Sequence, residues 1–123
     1  MDTDQDRLNL RPEVITQPTD QPVEHYQNKT LRPVLKLQHT LLHSITDHYL
    51  RKRKVDFNQT AKDKRRDKLK EMLTRDNRFR SLLFGIVIGQ FTTDEMTFYL
   101  AQEAAVNRRI TNLLHERLVS IYA

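Results

Sequence analysis

Ten cations fall between residues 51 and 70 of this chain: Arg51, Lys52, Arg53, Lys54, Lys62, Lys64, Arg65, Arg66, Lys68 and Lys70. Only Asp56, Asp63 and Asp67 oppose them, so the window is more positive than the whole 123-residue chain, whose net charge is +5. Such a local excess of basic residues is what phosphate backbones attract. It makes nucleic acid a candidate partner through Arg51, Lys52, Arg53, Lys54, Lys62, Arg65, Arg66 and Lys68. Phe57 is the only aromatic residue in the window, so base stacking is not indicated. The plainer reading is a solvated helix face whose bases pair with acids along the same helix.

A second set is His39, His43 and Asp47, each four residues from the next. On a helix all three share a face. Two imidazoles so placed could hold one metal ion if another helix supplied Glu103 or His115 as a further ligand. The chain contains neither H-E-x-x-H nor Glu-x-x-His, so ordinary boundary histidines are the plainer reading. A third set is Gln38, His39, Glu103 and Asn107. Gln38, Glu103 and Asn107 continue the inward phase of otherwise apolar stripes, where polar groups need partners. The four would form a polar core that fixes helix register, or the lining of a small pocket. There is no cysteine, no Ser/His/Asp pattern and no glycine-rich phosphate loop, so thiolate chemistry is excluded and catalysis has no foothold. No metal and no cofactor is expected.

These residues must be positioned by helices. Two glycines and 30% charged residues suit a helical bundle better than a β fold. The organising stretch runs from Leu82 to Phe91, with no charge between Arg80 and Asp94. Phe79, Leu82, Leu83, Ile86 and Val87 recur at spacings of three and four, which predicts a helix, with Asp76 as its N-cap. Phe84 and Ile88 lie off that stripe, so the helix reads as apolar nearly all round and covered by neighbours. It is well short of the roughly 20 residues that cross a membrane. Gly85 and Gly89 are the chain's only glycines. Both could let a neighbouring helix approach closely, and Gly89 could instead end the helix.

Leu31, Val34, Leu35, Gln38, Leu41, Leu42, Ile45 and Tyr49 predict a preceding helix that ends in Arg51 to Lys54. Pro33 kinks or starts it, and Asp20 with Pro22 could cap an earlier turn. Thr60 with Asp63 resembles a capping box for a helix carrying Leu69, Met72 and Leu73. Thr92 with Glu95 is a fuller one. The last helix would run from there almost to the C-terminus, on the order of 40 Å at 1.5 Å per residue. That length exceeds what so small a domain covers, so a homo-oligomer, most simply a two-fold dimer, is expected. Residues 1–20 read as a flexible acidic tail, extended or disordered, ahead of a helical domain over 21–123.

Leu31-Arg32-Pro33-Val34-Leu35-Lys36-Leu37-Gln38-His39 and Gly85-Ile86-Val87-Ile88-Gly89-Gln90-Phe91-Thr92 resemble a small uncharacterised family of Bacteroidetes-type bacteria. Asn107-Arg108-Arg109 and Glu116-Arg117-Leu118 extend the likeness, which covers the chain from about Leu8 onward. Members of that family are sometimes labelled glyoxalase. Metal-dependent glyoxalases are built on βαβββ units, and this chain offers no strand series. The resemblance supplies no established activity and no binding residues.

The sequence thus predicts an all-α protein: a small bundle of three or four helices with a loose N-terminal tail. The first functional reading is a non-enzymatic, cytoplasmic, homo-oligomeric interaction protein with no membrane association. Nucleic-acid binding through residues 51–70 is the alternative, and an enzyme centred on His39, Glu103 and Asn107 is the third.

Overall fold

The computed structural model describes residues 2–123, and these are all-helical with no strand among them. The helices are α1 (Thr3–Leu10), α2 (Pro22–Tyr26), α3 (Arg32–Leu37), α4 (His39–Lys52), α5 (Lys62–Arg75), α6 (Asn77–Ile88), α7 (Thr93–Ala101) and α8 (Glu103–Tyr122). A π-helical turn, Gln27–Leu31, joins α2 to α3, and a 3-10 turn, Phe57–Gln59, precedes α5. The expected three or four helices are therefore subdivided.

The π turn sits directly ahead of Pro33, which occupies the first positions of α3. Proline has no N–H to donate and its ring presses on the carbonyl four residues back. Widening the preceding turn relieves that contact without ending the helix. Gln38 then breaks α3 from α4 with φ −92 and ψ 7. Gln102, at φ −128 and ψ 34, separates α7 from α8. The expected 40 Å terminal helix is thus two helices. The longer, α8, has 20 residues and spans roughly 30 Å. With that length gone, the argument from it to an oligomer also goes.

Caps hold where the sequence placed the strongest ones. Asp76 accepts from the Phe79 N–H at 3.2 Å. Thr92 accepts from the Glu95 N–H at 3.3 Å while the Glu95 carboxylate accepts from the Thr92 N–H at 2.8 Å, a complete capping box. Thr60 does not cap α5. The cap position is Ala61, and the Thr60 hydroxyl donates instead to the Asp56 carbonyl at 2.8 Å. Nor does Asp20 cap α2, whose cap position is Gln21, although Pro22 does start it.

The core joins α3, α4, α5, α6 and α8. Val34, Leu35, Leu42, Leu69, Leu73, Phe79, Leu83, Val87, Ile110, Leu114 and Leu118 are fully buried in it. α6 packs on α4 and α5, and α8 lies along α5 and also meets α3. Two members of the expected stripes, Leu41 and Leu82, stay at the surface, as does Leu100 on α7. α6 is therefore covered on two sides and bare on a third, not enclosed all round.

The N-terminal tail is neither disordered nor free. Residues 3–10 are helical, with Asp2 accepting from the Gln5 N–H. Residues 11–21 follow as an extended strap, and helix and strap are each tied to the body. The Asp4 carboxylate accepts from the Thr93 N–H at 3.1 Å, and Lys36 donates to the Glu13 carbonyl at 3.3 Å. Arg11 pairs with Glu95 at 2.7 Å.

Candidate functional site

Gln38 donates from Nε2 to the Ile86 carbonyl at 3.3 Å, and the rings of Tyr49 and Phe79 lie 5.4 Å apart. α4 and α6 therefore run antiparallel. Leu41 is 51% exposed and Leu82 44% exposed. Ser81, Gly85 and Gly89 follow on the solvent side of α6, all exposed. α6 thus presents an exposed leucine and a line of small residues, and the neighbouring α4 presents a second exposed leucine.

The two glycines differ on this face. A Cβ at Gly85 would meet nothing within 4 Å among the described residues, so none of the described helices crosses closely there. The expected close crossing at Gly85 is absent from the chain's own packing. Gly89 is the C-cap of α6 and has a right-handed conformation, φ −62 and ψ −13, in place of a left-handed one. A Cβ there would lie 2.9 Å from the Gly85 carbonyl oxygen, which accepts from the Gly89 N–H. Gly89 is needed to end the helix tightly, and Gly85 has no such need within the fold.

The basic segment is split by its partners. Arg53 pairs with Asp76 at 2.8 Å and lies against the Tyr49 ring. Arg65 donates to the Thr60 and Tyr122 carbonyls, at 2.7 and 3.0 Å, and so ties the end of α8 to α5. Lys68 pairs with Glu71 at 3.5 Å, and Lys52 sits over the Tyr49 ring. Arg51, Lys54, Lys62 and Arg66 are exposed, with no carboxylate of the described residues within 4 Å. Lys54 holds a left-handed backbone, φ 57, at the end of α4. The Lys54 N–H bonds to Arg51 and the Val55 N–H to Leu50, which is the hydrogen-bond pattern that usually takes glycine at this position.

The polar set does not converge. Asn107 accepts from the Tyr99 hydroxyl at 2.6 Å across the elbow of α7 and α8, and Glu103 is exposed. Gln38 serves the α4–α6 contact, and His39 accepts at Nδ1 from Arg117 at 3.1 Å. An enzyme centred on His39, Glu103 and Asn107 has no common cavity here. Among the described residues no group of three His, Cys, Asp or Glu side chains is placed to hold a metal. His43 pairs with Asp47 at 3.4 Å, Tyr122 donates to Asp47, and His115 bonds to the Arg66 carbonyl.

Sequence reasoning missed the best-built polar cluster of the molecule. The Glu95 carboxylate accepts from Arg11 Nη1 and Nη2, both at 2.7 Å, from Thr30 Oγ1 at 2.8 Å and from the Thr92 N–H at 2.8 Å. Arg11 also donates to the Gln90 carbonyl, and Tyr26 donates to the Glu95 carbonyl. Burial by itself raises the Glu95 pKa. The hydrogen bonds from Arg11, Thr92 and Thr30 outweigh it and hold the group at about 2, against an ordinary 4.5. Burial, and then the Glu95 charge, push the Tyr26 hydroxyl well above its ordinary range. The cluster ties strap, π turn and α7 together, with both Nη groups of Arg11 engaged and its Nε buried without a partner among the described residues. The sequence showed its Thr92–Glu95 capping box but not that Arg11 and Thr30 join it.

No family model matches this chain, and no curated protein or solved structure does.

Proposed function

We propose that this chain is a non-enzymatic helical interaction protein that works as a homo-oligomer, most simply a two-fold dimer closed through the α4–α6 face. Gly85 carries the reading. A glycine inside a helix costs about 1 kcal/mol relative to alanine. Nothing in this chain requires it, since a Cβ there would touch nothing within 4 Å. The missing side chain gains a purpose if a second backbone or side chain sits there. Leu82, one turn away and 44% exposed, is a knob on the same face as that notch. A knob and a hole on one face are self-complementary under a two-fold axis, as an isologous interface requires. A chain without cysteine needs no oxidising compartment, and the cytoplasm is the proposed location.

Gly85→Leu tests this cleanly, because the open surface accommodates the larger side chain within one chain. Sedimentation velocity should find wild type as a dimer and the variant as a monomer with unchanged helical content. A wild type that sediments as a monomer at every concentration overturns the reading.

A second reading is polyanion binding through the exposed cations Arg51, Lys54, Lys62 and Arg66. Lys54 favours it, because a lysine stands where glycine would be about 1 kcal/mol more comfortable. Labelled generic RNA and DNA, titrated across a salt series, should then bind with steeply salt-dependent affinity that Arg51→Gln with Arg66→Gln removes. No binding at low salt leaves that face a solvated one.

A further inference from the structure

Arg32 on α3 and Arg117 on α8 face one cleft of about 240 Å³, and neither has a carboxylate within 4 Å among the described residues. Arg32 donates from Nε to Asn28 at 3.3 Å, and no hydrogen bond engages its two Nη groups. Arg117 donates one Nη to the Nδ1 of His39. Its Nε is buried with no hydrogen-bond partner among the described residues. Lys36 and Ser120 stand at the rim, and Lys36 reaches only the Glu13 carbonyl of the strap. Glu116 also lines the cleft and pairs with neither guanidinium. Leu35 and Leu113 form its apolar wall.

A half-buried cation without a counterion is unfavourable, and a second cation beside it is more so. Burial, and then the charge of Arg32, press the Arg117 pKa below its ordinary value. The fold therefore holds two guanidinium forks close together with their charge unanswered. Guanidinium forks match the oxygens of carboxylate and phosphate in bidentate geometry. We infer that the cleft between α3 and α8 binds a small oxyanion, the phosphate or carboxylate of a low-molecular-weight ligand, gripped by Arg32 and Arg117 and closed over by the strap. The volume suits one anionic group with a short apolar body lying on Leu35 and Leu113, and it is too small to enclose a polymer.

The test is a nuclear magnetic resonance titration of the full chain with inorganic phosphate, and separately with acetate, each replacing chloride at constant ionic strength. Saturable shifts of the Arg32 and Arg117 Nε–H signals are expected with at least one of the two, and which one answers separates phosphate-bearing from carboxylate-bearing ligands. Arg32→Gln and Arg117→Gln should each weaken that binding about tenfold or more, the loss of a charge-assisted hydrogen bond. Without ligand, Arg117→Gln should melt at or above the wild-type temperature, because it removes an unanswered charge. If that variant fails to fold, Arg32→Gln, whose side chain has only the Asn28 bond to lose, carries the comparison. Linear, unsaturable shifts, shifts confined to residues 51–70, or equal binding by Arg32→Gln would overturn the inference.

Discussion

Glu95 does two jobs with one carboxylate. One oxygen closes the capping box of α7 and the other accepts from Thr30, while Arg11 grips both. Its side chain is 15% exposed and that of Arg11 7%, so removing either leaves the other charge largely buried and unanswered. Arg11→Ala should cost about 2–4 kcal/mol, somewhat under the figure for a fully buried pair, and should release the strap. Denaturant titration gives the first number, and hydrogen exchange of residues 3–17 shows the second. The pH dependence has a definite sign. The folded pKa lies below the unfolded one, so the contribution is fully present above pH 4.5 and is lost as pH falls towards about 2. At most about 3 kcal/mol is at stake. Stability measured from pH 5 to 2 should fall steeply in wild type and less steeply in Glu95→Gln. Nothing local in the sequence pairs Arg11 with Glu95. They are 84 positions apart, and an arginine before proline in an acidic stretch has no periodicity to show which face it serves.

The helices make the contrast between the two glycines measurable. In the dissociated chain Gly85→Ala should raise stability by about 1 kcal/mol, since the helix interior gains a better former and the new methyl meets open space. Gly89→Ala should lower it by about 1 kcal/mol or more, because its Cβ would press on the Gly85 carbonyl and displace the closing turn. Urea titration of both variants at low protein concentration checks the pair. Glycine spacing alone suggested a shared role. The roles differ because Gly89 lies at a helix end while Gly85 lies on a bare helix face. Asp76 and Thr92 with Glu95 were legible as caps because each bond closes within three residues. Thr60 misled for the same reason: its hydroxyl had a nearer carbonyl in Asp56, and the helix began two residues later at Lys62. Pro33 marked the region of the π turn, while the break at Gln102 carries no comparable signature.

Across the whole molecule, charge separates the two functional readings. Two copies of a chain with net charge +5 repel, so added salt should strengthen self-association. Binding of a polyanion releases counterions, so added salt should weaken it. Sedimentation and nucleic-acid titration over one salt series therefore move in opposite directions, and a protein that does both would show both slopes. The all-α class was readable from the sequence because helical periodicity and strong caps are local properties. So were the Asp76 and Thr92 boundaries, the apolar character of α6 and the concentration of cations after residue 50. Packing decided the rest. It left Leu41 and Leu82 bare although both belong to helical stripes. It assigned Arg53 and Arg65 to structural partners while leaving their neighbours exposed. It folded an acidic N-terminus onto the body through a distant ion pair and further hydrogen bonds, and it set Arg32 and Arg117 on one cleft. A sequence encodes which face of each helix is apolar, but which faces find a partner depends on how helices far apart in the chain meet.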